Sequence, residues 1–486
     1  MNSLSNSILK NYNLFLLAAP KQTRNIILNN LQPSSSSLSF HNNNQLYTYY
    51  SSSLTCNNTT STTIRQYTSS TKNQNNDEKQ PLSSTTHNDI IPSKPKTAIV
   101  MLNLGGPQNL DEVEPFLTRL FSDRDIIKLP FQSIAGKVIA KRRTPAVRKL
   151  YEAIGGGSPI KKWTTLQGRA IEKILDARSP ETAPHKTYIG FRYAAPLIDR
   201  ALEEMKSDGV TRAIAFTQYP HYSCTTTGSS LNNLWKTLEQ KGLERHFEWS
   251  IIDRWPLHGG FVNAITSNLE KAIEAFNTRA KELGMADEKP VIVFSAHSLP
   301  MKTVERGDPY PGEIQATVQA VMDRLAVKEG RPTTSDKYAS ILCWQSKVGP
   351  LPWLVPKTVD IVTQLAKENK NCIVVPVAFT SDHIETLSEI DIELQHSAKE
   401  NGMRLMIRSE SLNDNPLIID AMADIVHQHL VSKQSISNPT KYTFKCPGCI
   451  DQSHKYCRTI RNPIGGGGQQ PQQQQPQQQQ TITENK

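Results

Sequence analysis

From residue 96 onward, short apolar runs rich in β-branched residues alternate with longer segments whose apolar residues recur at helical spacing. This alternation is typical of parallel sheets whose strands are joined by crossover helices. The candidate strands fall into two sets of four, at residues 97–104, 186–192, 212–217 and 249–253, and at residues 290–296, 338–344, 372–378 and 404–408. The pattern therefore predicts an α/β fold of two similar lobes, each with a four-stranded parallel sheet flanked by helices.

The same pattern divides the chain into five segments. They are a polar leader and linker (1–95), an N-terminal lobe (96–260), a C-terminal lobe (261–431), a cysteine-containing extension (432–460) and a Gly- and Gln-rich tail (461–486). A tail of that composition cannot bury a core, so we expect it to be disordered.

The leader has the composition of a mitochondrial presequence. Residues 1–76 contain no Asp or Glu, carry basic residues and are rich in Ser, Thr and Asn. A secretory signal built on the apolar residues 14–19 is the alternative, but that apolar core is short and the cysteines are not arranged for secretion. We therefore expect a mitochondrial protein.

Composition and charge exclude several classes of protein. The net charge of +10 would suit nucleic acid or an anionic membrane, but we find no zinc-finger, helix-turn-helix or single-strand-binding pattern, so we expect no nucleic-acid partner. No apolar run approaches the ~18 residues that span a bilayer. Seven cysteines in 486 residues do not form a disulfide scaffold.

Residues 129–143 form an unusual segment, because the apolar residues Phe131, Ile134 and Val138 precede Lys141 and two arginines. A half-apolar flap with basic residues at its end suits a membrane interface. The alternative is a helix packed on the protein's own core.

Ligands of open α/β sheets bind beyond the carboxyl ends of the strands, so the residues just after each strand matter most. His297 directly follows a predicted strand, and a neutral imidazole is the side chain best suited to accept protons near neutral pH. A single histidine there could also be purely structural.

A row of carboxylates follows another predicted strand. On a helix, Asp382, Glu385, Glu389 and Glu393 would share one face. Such a like-charged face is unfavourable unless a cation or exchanging protons relieve it, although a solvated acidic face is the alternative. Together with His297, these residues predict a path for leaving protons or entering metal.

Aromatic, imidazole and hydroxyl side chains also gather after the strands of the N-terminal lobe, at residues 219–230 and 253–258, although each stretch alone could be an ordinary turn. Arg143, Tyr151 and Ser158 flank a glycine-rich loop that lacks the spacing of a nucleotide-binding motif. Guanidinium, phenol and hydroxyl groups suit the carboxylates of a flat apolar ligand better.

Seven short motifs, in order along the chain, together resemble the ferrochelatase family. They are residues 102–107 (LNLGGP), 155–159 (GGGSP), 190–193 (GFRY), 219–230, 295–300 (SAHSLP), 343–347 (CWQSK) and 381–387 (SDHIETL), and the resemblance runs from about residue 96 to 430. It implies two Rossmann-like lobes around a porphyrin cleft, Fe²⁺ and protoporphyrin IX as substrates, and commonly a homodimer on the matrix face of the inner mitochondrial membrane.

The resemblance also implies roles for individual residues. His297 would lie nearest the pyrrole protons, with Glu385 and His383 beside it, and His258 and Asp424 would belong to the active site. The porphyrin would contact Arg143, Tyr151, Ser158, Leu104, Arg192, Tyr193, Tyr219, Trp255, Trp353 and Phe379. Leu104 stands where animal members have Met, a change of similar shape that we expect to alter the fit of the pocket more than its chemistry.

Four thiolates match the ligand set of a [2Fe–2S] cluster of the kind that many eukaryotic ferrochelatases carry: Cys224, Cys446, Cys449 and Cys457. The gap before Cys457 is longer than in the animal enzymes, which makes it the least secure ligand. Structural zinc, with His454 as a further ligand, is the alternative. Two other functions remain open at this point: a porphyrin or haem carrier without catalysis, and a chelatase for another tetrapyrrole or metal.

Overall fold

The computed structural model describes residues 96–127, 129–333 and 337–437. The predicted leader, the cysteines of the extension and the Gln-rich tail lie outside these ranges. Within them the two predicted lobes are present as two four-stranded parallel sheets.

The first sheet belongs to the N-terminal lobe. Its strands are β1 (Thr97–Asn103), β2 (His185–Phe191), β3 (Arg212–Thr217) and β4 (Glu248–Ile252), in the spatial order β2-β1-β3-β4. Every residue of β1 is buried, as expected for a central strand that is covered by helices on both faces.

The second sheet repeats this arrangement in the C-terminal lobe. Its strands are β5 (Val291–His297), β6 (Ser340–Gln345), β7 (Cys372–Pro376) and β8 (Met406–Arg408), in the order β6-β5-β7-β8. The predicted α/β fold of two similar lobes is therefore confirmed, and every predicted strand end lies within two residues of the observed one.

Helices connect and cover the strands. In the described residues they are α1 (Val113–Ser122), α2 (Gln132–Ala153), α3 (Ile160–Arg178), α4 (Ile198–Asp208), α5 (Ser229–Gln240), α6 (Gly259–Glu282), α7 (Met301–Glu305), α8 (Tyr310–Lys328), α9 (Thr358–Lys367), α10 (Ile384–Leu387), α11 (Gln395–Glu400) and α12 (Pro416–Ser432). Two further segments in this part of the chain are π-helical, Cys224–Gly228 and Glu389–Leu394.

One large hydrophobic core continues from the first lobe into the second. It includes Ile99 and Phe216 from the first sheet, Phe294 from the second, and Phe276 from the long helix α6. Helix α6 packs against both α8 and α12, so the apolar faces of three helices close this core. The shared core fixes the carboxyl ends of both sets of strands relative to each other.

Candidate active site

His297 is the last residue of β5, and its ring is held in one orientation. Its Nδ1 lies 2.6 Å from the carbonyl oxygen of Ser298. Because a carbonyl oxygen only accepts hydrogen bonds, Nδ1 must carry the proton, and the Nε2 of the neutral ring keeps a free lone pair. Trp353 packs near this ring, with 6.4 Å between the ring centroids. The local structure therefore prepares Nε2 to accept a proton.

Glu385 lies between two imidazoles. Its Oε1 is 3.7 Å from the Nε2 of His297, and its Oε2 is 3.4 Å from the Nε2 of His383. The two histidines come from separate strand ends, because His297 ends β5 whereas His383 and Glu385 follow β7. Strands β5 and β7 are neighbours in the second sheet, which brings these residues together.

The two glutamates of this segment titrate differently. Burial acts to raise the pKa of Glu385, but the positive charge of His297 in its protonated form, with a hydrogen bond and the charge of protonated His383, holds this pKa below its usual value. Burial, with the charge of Glu385 added, raises the pKa of Glu389 to about 7. Glu389 is held by Ser346, whose hydroxyl donates at 2.6 Å, and by the amide of Gln345 at 3.1 Å. Such a pair provides one strong and one weak proton acceptor side by side.

The expectation that four carboxylates share one face of a single α-helix is wrong. The segment is α-helical only in α10 and becomes π-helical over Glu389–Leu394. Asp382 precedes α10, and its carboxylate is bound by Arg408, Ser411 and other donors. The Glu393 carboxylate accepts a hydrogen bond from Ser388. Glu385 and Glu389 therefore form the inner part of the predicted acidic path.

A second imidazole–carboxylate pair joins two helices of the core. The Nε2 of His258, at the start of α6, lies 3.1 Å from Oδ2 of Asp424 on α12. The amide of Gln428 also donates to Asp424. The two residues that the resemblance selected together are thus direct neighbours.

The predicted flap is the long helix α2, and its second half reaches the acidic segment. Burial and the charge of Glu385 raise the pKa of Tyr151 far above its ordinary value, and Ile384 packs on the apolar cluster that contains Tyr151. The guanidinium of Arg143 lies 5.5 Å from the centre of the Phe121 ring, and burial lowers its pKa. The flap thus connects the two lobes at the site.

Ser158 is buried where two glycine-containing motifs meet. Its amide donates to the carbonyl of Pro107 at 2.7 Å. A Cβ atom on Gly106 would lie 2.6 Å from the Ser158 side chain, and one on Gly157 would lie 2.1 Å from the carbonyl oxygen of Gln108. Only glycine permits this close approach, which explains these residues in the two loops.

Asp123 organises two predicted pocket residues and was missed by the sequence analysis. Its buried carboxylate accepts hydrogen bonds from Arg192 at 2.8 Å, from Ser229 at 2.8 Å and from the hydroxyl of Tyr193. The amide of Tyr193 also donates to the carbonyl of Leu104. A lone aspartate after α1 gave no signal, because its partners lie far away along the chain.

The predicted aromatic residues occupy different surroundings. Trp255 packs in the core against Phe261, and its indole donates to the carbonyl of Thr217 at 3.0 Å. Tyr219 is half-buried overall, but its hydroxyl is buried, which raises the pKa of that group. Phe379 contacts His383 edge-on, with 4.4 Å between the ring centroids. Trp353 and Phe379 therefore flank the imidazoles, whereas Trp255 supports the fold beneath.

Comparison with known proteins agrees with this geometry. A family model described as Ferrochelatase matches residues 96–430. The mitochondrial ferrochelatase of Dictyostelium discoideum is 60% identical over 380 residues, covering 76% of this chain and 89% of that protein. The mitochondrial ferrochelatase of Homo sapiens is 51% identical over 360 residues, covering 74% and 81%.

The chain belongs to the ferrochelatase family. As a ferrochelatase it is a metal chelatase that inserts Fe²⁺ into protoporphyrin in the last step of haem biosynthesis. Its relatives are mitochondrial enzymes, and we assign this ferrochelatase to the mitochondrion. Iron insertion is thereby favoured over a silent carrier and over a chelatase for another tetrapyrrole or metal.

Cys224 is the predicted cluster ligand of this ferrochelatase that the structure describes. It is half-buried, and its amide donates to Asp308 at 2.8 Å. Cys446, Cys449 and Cys457 lie outside the described residues. Cys343 and Cys372 are buried in strands of the second sheet, where burial raises the pKa of each thiol to about 12. Both side chains are packing residues of the second sheet.

The described part of this ferrochelatase contains no helix that is both long and apolar enough to cross a membrane. Nor do its histidines, cysteines, aspartates and glutamates form, within those residues, a group of three or more that could hold a metal ion.

Proposed function

We propose that this ferrochelatase removes the two pyrrole protons of protoporphyrin IX through His297. The observation that carries this proposal is the orientation of the ring, because the bond from Nδ1 to the Ser298 carbonyl leaves Nε2 free, 3.7 Å from Glu385. As iron enters, two N–H bonds of the porphyrin break and four Fe–N bonds form, with no change of oxidation state. Each proton passes to Nε2 and must then leave it before the next arrives.

Glu385 and Glu389 are the proposed next acceptors of these protons after His297. Glu385 lies beside both imidazoles, and Glu389 has a pKa raised to about 7 by burial and by the charge of Glu385. A proton therefore moves from a weakly basic carboxylate to a more basic one. Glu393 continues in this direction, and Asp382 borders the path. His258 and Asp424, which form a separate imidazole–carboxylate pair, are proposed to assist iron insertion.

The porphyrin is proposed to lie between the flap helix and the ends of the second sheet. Arg143, Tyr151 and Ser158 come from the flap side, and Trp353 and Phe379 come from the imidazole side. Leu104, Arg192, Tyr193 and Tyr219 complete the first-lobe wall, with Trp255 behind it. Free protoporphyrin is nearly flat, and binding energy spent on bending the ring exposes its nitrogen lone pairs to iron.

An anaerobic assay tests this function directly. Purified protein is mixed with protoporphyrin IX and Fe²⁺, and the visible spectrum is followed. We expect the haem spectrum to appear with multiple turnovers. Tight porphyrin binding without haem formation would contradict the proposal and would support a carrier.

The enzyme is proposed to work as a peripheral protein on the matrix side of the inner mitochondrial membrane. The core-facing side of α2 carries small residues such as Gly136 and Ala140, whereas Phe131, Ile134 and Val138 are 85%, 66% and 61% exposed. An apolar surface of this kind, followed by basic residues, suits insertion into an anionic lipid interface. At this interface the membrane would deliver the apolar substrate to the enzyme and accept the product from it.

A [2Fe–2S] cluster is proposed to join Cys224 to Cys446, Cys449 and Cys457. The structure describes the chain as far as Ser437, whose hydroxyl donates to Asp253 at 3.0 Å. Asp253 binds Arg254, which pairs with Glu313, and Glu313 accepts the amide of Tyr222, two residues from Cys224. This series of contacts links the described start of the extension to the segment that contains Cys224, which supports a cluster that attaches the extension to the first lobe. Zinc is the alternative metal, and a homodimer is the expected assembly.

A further inference from the structure

Arg408, the last residue of β8, binds two carboxylates at once. Its Nε and Nη2 donate to the two carboxylate oxygens of Asp391, at 2.6 and 2.9 Å, and its Nη1 donates to Asp382 at 3.1 Å. The Nη1 also donates to Ser411 at 3.0 Å. The side chain is only 14% exposed, so this paired geometry is held in a largely dry environment.

The two carboxylates lie at the two ends of the reactive segment. Asp382 directly precedes His383 and Glu385, and Asp391 lies in the π-helical turn that carries Glu389. Helix α10 has only four residues and the turn after it is π-helical, so neither piece is stable by itself. The position of the glutamates must therefore be set by side-chain anchors.

Asp382 is occupied by structural hydrogen bonds. Its carboxylate accepts from Ser411 at 2.6 Å, from Asn413 at 2.8 Å and from Thr386 at 3.0 Å, besides the bond from Arg408. Its own amide donates to the side chain of Asn413 at 2.7 Å. A carboxylate with this many fixed donors is an anchor and a poor carrier of mobile protons.

The anchor is also tied to the other lobe. Gln167, on α3 of the N-terminal lobe, is buried, and its amide donates to the carbonyl of Asn413 at 2.6 Å and to that of Thr380 at 3.2 Å. Thr380 and Asn413 lie in the loops that follow β7 and β8. The network thus extends from the first lobe through Asn413 and Asp382 to Arg408 and Asp391.

We propose that Arg408 is a positioning residue for iron insertion, which clamps Asp382 and Asp391 and so fixes Glu385 and Glu389 relative to His297. Asp382 then belongs to this clamp and not to the proton path. The inference rests on the catalytic roles proposed above for the two glutamates.

Three substitutions test the clamp, with one matched control. Arg408→Met removes it, Arg408→Lys keeps the charge but loses the bidentate geometry, and Asp391→Asn weakens one end without leaving a buried cation unpaired. Arg331→Met is the control, because Arg331 is 19% exposed and pairs with Glu329 elsewhere. We expect kcat to fall about 10- to 100-fold in Arg408→Met and less in the other two, because small displacements of catalytic groups are costly. Binding of protoporphyrin, measured by fluorescence quenching, should stay within about twofold.

A double-mutant cycle separates positioning from a general loss of stability. If Arg408 acts through Glu385, then Arg408→Met should cost little in a Glu385→Gln background, whereas additive losses would overturn the proposal. If Glu385→Gln alone leaves kcat unchanged, the proposed role of that glutamate fails, and hydrogen exchange then tests the clamp independently. Amides of residues 384–391 should lose protection in Arg408→Met and Asp391→Asn but not in Arg331→Met. Unchanged protection would show that Arg408 does not hold this segment.

Discussion

The Nε2 of His297 faces the Oε1 of Glu385 at 3.7 Å, although 87 residues separate them along the chain. The first ends β5 and the second follows β7, and these strands are parallel neighbours. The juxtaposition is thus a direct result of the sheet order, which places the ends of both strands at one edge.

Replacing His297 with Ala should lower kcat by about 100- to 10,000-fold, because general-base catalysis contributes that much. The KM for protoporphyrin should change little, since the ring loses one contact among many. Steady-state haem formation under anaerobic conditions measures both constants. His396→Ala is the control, because that side chain is 72% exposed. Near-normal turnover of His297→Ala would remove the proposed base.

The pH dependence of stability should report on Glu389. Its pKa in the folded enzyme is raised to about 7, above the ordinary value of an unfolded chain, so its contribution to stability is full at low pH and is lost as the pH rises through 7. Glu389→Gln removes this loss. The melting temperature of the variant should therefore rise relative to that of the wild type between about pH 5 and pH 8. Glu114→Gln, at an exposed position, is the control, and its melting temperature should follow that of the wild type at every pH. If the melting temperature of Glu389→Gln also follows that of the wild type, the pKa of Glu389 is not raised.

Arg143→Ala should raise the KM for protoporphyrin about 10- to 100-fold, because a hydrogen bond to a charged group contributes about 1.5–3 kcal/mol. The loss should shrink when the substrate is the dimethyl ester, which lacks the negative charges. The KM values of the acid and the ester in the wild type and in Arg143→Ala together give the interaction energy between Arg143 and the propionates. Arg200→Ala, on the exposed surface of α4, serves as the control. An equal loss with acid and ester would place the propionates elsewhere.

The double change Phe131→Ser and Ile134→Ser should weaken binding to cardiolipin-containing vesicles by about tenfold or more. Each apolar side chain that inserts into the lipid stabilises the bound state by about 1.5–3 kcal/mol when it is fully buried. Sedimentation with vesicles measures the bound fraction. Val327→Ser is the control, since that residue is also exposed, at 60%, but lies on α8. If the control and the double variant sediment alike, the flap does not meet the membrane.

Cys449→Ser should abolish the visible absorbance that a [2Fe–2S] cluster gives the isolated enzyme, because a cluster with three thiolates is easily lost. The contents of iron and of acid-labile sulfide should fall in parallel. Cys56→Ser should keep the wild-type spectrum, since Cys56 lies in the predicted leader. A colourless wild-type protein with stoichiometric zinc would select the alternative metal.

The strands were predictable because their signal is local. Runs of β-branched and apolar residues mark buried parallel strands whatever surrounds them, and the position of His297 at a strand end could be read directly. The close approach of the two loops around Ser158 was not predicted, although the glycines there were visible in the sequence, because the partner loop lies about 50 residues away along the chain.

The parts that escaped prediction depend on partners that are distant in sequence. Nothing near Asp123 indicates that Arg192 and Tyr193 will bind it. Carboxylate spacing after β7 suggested a regular helix, but a π-helical turn has a wider period and redirects the side chains. Arg408 gave no signal either, because its role depends on the fold of two loops around it.

The repeated strand order of the two sheets has a consequence for evolution and engineering. Most groups proposed to bind the porphyrin come from the half of the molecule with the first sheet, and most groups proposed to transfer protons, with the exception of His258, come from the half with the second sheet. Changes in the amino-terminal half can thus retune which macrocycle is accepted while the acid–base apparatus stays intact. Exchange of whole halves would instead disrupt the core that both lobes share, so such changes are best made one residue at a time.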